Sequence, residues 1–261
     1  MVLVVKIGGS AGVATTQIAL DIAHYVAEGQ RIIVMHGGSD LTNTLCARLN
    51  HPVRMITSPN GMTSRYTDAE TLSIFAMAVG QMNTELVALL QQHGVNALGL
   101  SGIDGRLLVA RRKTAIRSVM PDGRTQIIRD DFTGQIETVN GQLLQQLLDS
   151  GYMPVVAPLA LGHEGERLNV DGDRAAALIA ATLQADTLAI MTNVPGLLED
   201  PADYQTLIRS IPADQFATYL PYAQGRMRKK LLGAQEALNG GVRRICIGSG
   251  SLLDVIQAAG T

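Results

Sequence analysis

The chain has no tryptophan, three phenylalanines and only two cysteines among its 261 residues. Cys46 and Cys246 stand far apart, in neither a C-x-x-C nor a Cys/His pair at metal spacing. That excludes a disulfide framework and a structural zinc site, and fits a reducing compartment. Both thiols read as small buried hydrophobes. A surplus of one charge sign is also missing: 21 Lys and Arg against 23 Asp and Glu leave a formal net charge of -2. Nothing in the overall field therefore attracts nucleic acid or an anionic membrane. The longest apolar runs, such as Pro154 to Ala160, fall far short of the roughly 20 residues that cross a bilayer. No secretory leader pattern precedes the first apolar run, and a cytoplasmic location is expected. A Pro/Ser-rich linker, a charge block and an internal repeat are absent as well. One domain over 1–261 is expected, with an N-lobe over about 1–165 and a C-lobe over about 166–261.

What is present is a 46% hydrophobic chain, enough to bury a core. Short β-branched runs occur at Val2 to Ile7, Arg31 to Met35, Asn96 to Leu100, Met153 to Ala157, Asp186 to Met191 and Arg243 to Ile247. Such near-continuous apolar strands suit a parallel sheet covered on both faces. Helices are predicted between them at about Ala14 to Glu28, Asp40 to Leu49, Thr67 to His93, Gly141 to Asp149, Gly172 to Gln184 and Gly225 to Asn239. The alternation predicts an α/β fold, a three-layer αβα sandwich around a mainly parallel central sheet. The Thr67 helix opens with the capping-box spacing Thr67-Asp68-Ala69-Glu70, and its apolar length suits either a core position or a face against a second copy. Between Ile103 and Ile136, the Asp104-Gly105 and Pro121-Asp122-Gly123 turns predict short strands in hairpins.

Two of the predicted strands end in paired glycines, Lys6-Ile7-Gly8-Gly9-Ser10 and His36-Gly37-Gly38-Ser39. Glycine lets backbone N–H groups approach an anion closely, and a following helix N-terminus adds positive potential, so phosphate is the natural guest. Neither a P-loop nor a G-x-G-x-x-G fingerprint is present. Lys6 lies within an apolar strand, where an ammonium is costly unless it reaches the strand end and meets an anion. Asp171 reads as a helix N-cap, which leaves Asp173 unexplained. Arg226, Arg228, Lys229 and Lys230 crowd a helix start, where the dipole disfavours cations unless an anionic ligand is met.

Six motifs in order resemble the amino acid kinase family, and within it the N-acetylglutamate kinase branch. They are K-x-G-G at Lys6, H-G-G at His36 to Gly38, R-x-T-D at Arg65 to Asp68, N-x-x-x-D at Asn169 and Asp173, T-x-V-x-G at Thr192 to Gly196, and G-x-M-x-x-K at Gly225 to Lys230. The segments Ser64 to Asp68, Gly99 to Arg106 and Arg129 to Gly134 are most similar to kinases acting on 2-aminoadipate carried by the small acidic protein LysW. The resemblance implies ATP-dependent phosphorylation of a carboxylate, with magnesium as the partner of ATP, held by phosphates and water rather than by a protein metal site. It implies that Lys6, Lys230, Asp173 and Gly8 are catalytic, and that Gly37, Gly38, Arg65 and Asn169 bind substrate. Gly9, Ser10, Thr192, Asn193, Val194, Gly196, Leu197 and Met227 would border the nucleotide. The N-lobe would take substrate and carrier, and the C-lobe the nucleotide. The family's usual T-D-V reads Thr192-Asn193-Val194, and its Gly-Gly-Met reads Gly225-Arg226-Met227.

Between Arg106 and Arg129 stand seven basic residues, opposed only by Asp122. A free amino acid is recognised by one or two cations, whereas an acidic protein needs a surface. Arg111, Arg112 and Lys113 are the expected docking residues for LysW. The alternative is N-acetylglutamate kinase acting on a free small molecule, with the same catalytic residues. Carrier-bound glutamate, one methylene shorter, is a third reading. The resemblance also implies a homodimer.

Overall fold

The structure, a computed structural model, describes residues 1–120 and 122–258. The turn predicted at Pro121 and the last three residues of the expected C-lobe lie outside the described residues. The strands are β1 (Val2–Ile7), β2 (Arg31–His36), β3 (Met55–Thr57), β4 (Thr63–Arg65), β5 (Ala97–Ser101), β6 (Leu108–Arg112), β7 (Ile116–Val119), β8 (Thr125–Ile128), β9 (Gly134–Val139), β10 (Met153–Ala157), β11 (Leu159–Gly162), β12 (Arg167–Asn169), β13 (Thr187–Met191) and β14 (Arg244–Gly248). The helices are α1 (Thr15–Ala27), α2 (Ser39–Arg48), α3 (Ala69–Gln92), α4 (Gly141–Asp149), α5 (Gly172–Thr182), α6 (Phe216–Tyr219), α7 (Gly225–Asn239) and α8 (Leu252–Ala258).

The six strands read from the sequence form one sheet, in the order β14-β13-β1-β2-β10-β5, with every pairing parallel. Strand period two divides their side chains between two cores. Val4, Ile33, Val156, Leu188 and Ile190 face α4 and α5, while Leu3, Val5, Ile32, Val34, Val155 and Ala189 face α1, α3 and α8. The result is the expected three-layer sandwich. From β1 the chain adds β2, β10 and β5 on one side, and β13 and β14 on the other. The connections thus diverge at the carboxyl end of β1, the place where open α/β sheets bind ligands. Lys6 occupies that end.

A second sheet, β12-β11-β6-β9, and two hairpins, β3-β4 and β7-β8, form the remainder of the β-structure among the described residues. The hairpins pack together through Ile56, Tyr66, Ile116 and Ile128.

Helix α3 departs from expectation at its start. Its N-cap is Asp68, whose carboxylate accepts from the Thr71 amide at 2.8 Å, so the helix begins after Thr67 rather than at it. Thr67 is held elsewhere: its N–H donates to Asp131 Oδ2 at 2.9 Å and its hydroxyl donates to the Arg65 carbonyl. By length and composition α3 is also the one described helix apolar enough to span a membrane, although polar residues break its apolar sequence into short runs. Its Leu72, Phe75, Val79, Leu86 and Leu90 are buried against the rest of the fold.

Candidate active site

Three ionisable side chains from three elements meet beyond the end of β1. Lys6 Nζ lies 2.8 Å from Asp173 Oδ1, and Lys230 Nζ lies 3.0 Å from Asp173 Oδ2. All three residues are less than 10% exposed. Asp173 stands in the first turn of α5, where the helix dipole favours an anion. Asp171 caps the same helix, as its sequence position suggested, accepting from the Asp173 and Arg174 amides. Gly233 lets α7 approach α5: a Cβ there would come within 3.2 Å of the Asp173 carbonyl.

The electrostatics follow from this geometry. Burial pushes the Asp173 pKa up, but Lys6 and Lys230 outweigh it and hold the carboxyl at about 2. Burial and the neighbouring Lys6 ammonium lower the Lys230 pKa, with Asp173 working against both. Two buried cations against one anion leave an uncompensated positive charge. Such an arrangement is expensive in an empty interior and is repaid when an anionic ligand arrives.

The two glycine turns press backbone against backbone. A Cβ on Gly9 would stand 2.3 Å from the Gly38 nitrogen, and one on Gly37 2.6 Å from the Gly9 nitrogen. The amides of Gly8 and Gly37 are spent on the Met191 and Ile7 carbonyls, each at 2.9 Å. Among the described residues the amides of Gly9 and Gly38 make no hydrogen bond. The donors free for a phosphate are therefore Gly9 and Gly38, whereas Gly8 and Gly37 shape the turns.

Arg65, at the end of β4, donates through Nη2 to the Ser39 carbonyl and to Asn43 Oδ1. Its Nη1 is buried with no hydrogen-bond partner. An orphaned buried donor costs about 1–3 kcal/mol, and a carboxylate would remove that cost. Burial lowers the Arg65 pKa, and Arg226 adds to the effect. Asn169 comes to the same side, its Nδ2 donating to Thr67 Oγ1 at 3.1 Å.

On the other side, Thr192 is buried at the end of β13, its N–H bonded to the Gly248 carbonyl. Asn193 Nδ2 donates to the Ala11 carbonyl at 3.1 Å, and Arg226 Nη1 to Ser10 Oγ at 2.7 Å. Val194 is half-buried and Gly196 buried. Leu197 and Met227 pack in an apolar cluster with Phe216 and Leu231.

The basic hairpin residues diverge in role. Arg111 is exposed and paired with Glu137 at 3.0 Å. Arg112 is consumed internally: its guanidinium stacks 3.8 Å from the Phe132 ring centroid and its Nε donates to the Asp131 carbonyl. Lys113 is exposed as a residue, yet partial desolvation of its ammonium and the nearby Arg174 lower its pKa, with Asp131 and Asp171 opposing.

Sequence reasoning assigned no role to Asp131 or Asn83. Asp131 is fully buried and accepts from Thr67 N, Thr133 N and Thr133 Oγ1. It thereby ties the start of α3 to the loop that meets Asn169; its place in Arg129 to Gly134 was the one available signal. Asn83 donates toward His36 Nε2 at 3.1 Å and to the Val155 carbonyl at 2.9 Å. Burial holds His36 at a pKa of about 4. It is neutral at physiological pH, its Nδ1 donating to the Gly37 carbonyl. No pattern in the sequence marked Asn83. Among the described residues, no three His, Cys, Asp or Glu side chains are grouped to hold a metal ion.

The chain is 48% identical to the [LysW]-aminoadipate kinase of Deinococcus radiodurans, over 98% of this chain and 88% of that protein. It is 45% identical to that of Thermus thermophilus, over 98% and 96%. A Cenarchaeum symbiosum protein named putative [LysW]-aminoadipate/[LysW]-glutamate kinase is 42% identical over 98% and 95%. Among solved structures, smu.665 from Streptococcus mutans shares the fold, with a TM-score of 0.78 at 24% identity over 96% of both chains. The model of the amino acid kinase family matches residues 1–249; together with the buried Lys6–Asp173–Lys230 site and the two glycine turns, this places the chain in that family.

Proposed function

We propose that the protein transfers the γ-phosphoryl group of ATP to the side-chain carboxylate of 2-aminoadipate bound through an amide to LysW, forming an acyl phosphate and ADP in lysine biosynthesis. LysW-bound glutamate, one methylene shorter, is a second substrate in this reading, serving arginine biosynthesis. A pocket separates such a pair by only about 1–3 kcal/mol. The observation that carries the chemistry is the buried Lys6–Asp173–Lys230 group with its surplus positive charge at the carboxyl end of β1. The names of the relatives support the carrier.

The acceptor carboxylate, with an ordinary pKa near 4.3, is ionised at neutral pH and needs no general base. The obstacle is repulsion from the triphosphate. Lys6 and Lys230 neutralise charge on the transferring phosphoryl group as the carboxylate oxygen bonds to phosphorus and the bridging oxygen leaves with ADP. Asp173 positions both lysines. The Gly9 and Gly38 amides donate to phosphate oxygens, and Arg65 Nη1 and Asn169 hold the substrate's α-carboxylate end. Thr192 to Leu197 and Met227 border the nucleotide. Asp173 is committed to two lysines, so magnesium would be held by phosphates and water; it supplies charge neutralisation on the triphosphate.

In this reading residues 1–165 take substrate and carrier and residues 166–261 the nucleotide, in a cytoplasmic homodimer. Exposed Arg106, Arg111, Lys113, Arg117, Arg124 and Arg129 receive the acidic carrier. The test is ADP release from ATP and magnesium with free N-acetylglutamate, LysW-aminoadipate and LysW-glutamate. Turnover of the carrier-bound substrates is expected. Turnover of free N-acetylglutamate alone would instead establish acetylglutamate kinase activity.

A further inference from the structure

Two side chains from separate elements reach the same two consecutive residues. Asn193 Nδ2 donates to the Ala11 carbonyl at 3.1 Å, and Arg226 Nη1 donates to the adjacent Ser10 hydroxyl at 2.7 Å. An aspartate at position 193 would set a carboxylate oxygen against the Ala11 carbonyl oxygen, and a glycine at 226 would have no side chain to reach Ser10. Both bonds span more than 180 residues of sequence. They join the end of β13 and the start of α7 to the turn that follows β1. Arg226 has no other hydrogen bond and no carboxylate partner among the described residues. It also precedes Lys230 by four residues, so both cations lie on one face of α7.

We propose that Asn193 and Arg226 are positioning residues that clamp the end of β13 and the start of α7 to the turn that follows β1. They hold the Ser10–Ala11 turn against the nucleotide side before ATP binds, fixing the spacing between the free Gly9 amide and Lys230. The ordering that a nucleotide would otherwise impose on this turn is thus already present, and preorganisation of this kind appears as affinity. The inference rests on the proposed kinase reading for its nucleotide but not for its acceptor.

The experiment measures the dissociation constant of AMP-PNP with magnesium, without acceptor, for the full chain. The variants are Asn193→Asp, Arg226→Gly, the double variant and Arg226→Lys. Each of the first two is expected to weaken binding about fivefold to tenfold, as expected for lost preorganisation of one turn. The double variant should lose less than the product of the single losses, since both bonds restrain one turn. Arg226→Lys, which keeps a donor, should retain most of the affinity. In turnover the KM for ATP should rise with little change in the acceptor KM. Thermal unfolding midpoints check that the variants fold; both positions are exposed. Unchanged or tighter AMP-PNP binding in the variants, or a loss confined to the acceptor KM, would overturn the clamp. Failure of wild-type enzyme to use carrier-bound substrate would overturn the acceptor assignment while leaving this binding test intact.

Discussion

At the residue scale, the site is governed by one carboxylate shared between two ammonium groups. Asp173 raises the Lys230 pKa against burial and against Lys6. In Asp173→Asn that support is gone, and burial and Lys6 act unopposed. Lys230 then loses its proton at lower pH, so the alkaline limb of kcat/KM should move down in pH relative to wild type. A pH–rate profile of the two proteins checks this, and an unmoved limb would show that Lys230 is not the group titrating. Stability should also fall, because removing one partner leaves buried charge uncompensated, a loss of about 3–5 kcal/mol in comparable buried pairs. The sign of its pH dependence follows from the depressed carboxyl. The Asp173 contribution is full above the ordinary 3.8 and is lost as pH falls toward about 2. Lys6 was legible in the sequence as a charge in an apolar strand. Asp173 was legible only as an aspartate left over once Asp171 was assigned to the cap.

At the element scale, the glycine turns are read differently once they are folded. In the sequence all four glycines look alike, and a phosphate cradle is the common reason for them. In three dimensions Gly9 and Gly37 are required by close packing of one turn on the other, because a side chain on either would collide with backbone. Gly9→Ala is therefore expected to separate the β1 and β2 turns. Activity should fall by at least about two orders of magnitude, since positioning errors near 1 Å carry costs of that size. Gly61→Ala, at an exposed turn with open space around it, should leave kcat within about twofold, while its positive φ makes the alanine cost about 1 kcal/mol or more of stability. Steady-state kinetics and thermal unfolding of the two variants check the contrast. The shift of the α3 cap from Thr67 to Asp68 has a similar origin. Local spacing favours a capping box, but Asp131, 64 residues away, takes the Thr67 amide.

At the scale of the whole molecule, a net charge of -2 conceals a local excess of positive charge on and beside the β7–β8 hairpin. Not every cation there is available: Arg112 holds the loop around Asp131 and Phe132, and its reversal would damage the site as well as any docking. The sharper variant is Arg117→Glu with Arg129→Glu, both exposed. It should raise the KM for LysW-bound substrate about tenfold or more through slower association, with kcat and the KM for ATP nearly unchanged. Wild-type association should weaken with salt, since screening acts within about 10 Å at 0.1 M. An unaltered carrier KM across charge reversal and salt would reduce the patch to solvated charge.

The amino-acid sequence by itself determined the six parallel strands, the six principal helices and the paired-glycine turns. These depend on hydrophobic period and local backbone chemistry, which are written in neighbouring residues. It also held the family motifs in order. Tertiary structure decided which glycine amides remain free, that Arg65 keeps an unpartnered buried donor, that Asn83 and Asp131 support the site, and that Asn193 and Arg226 converge on Ser10 and Ala11. Each of those facts turns on contacts between residues tens to hundreds of positions apart, and no local pattern encodes which distant carbonyl or carboxylate a donor will meet.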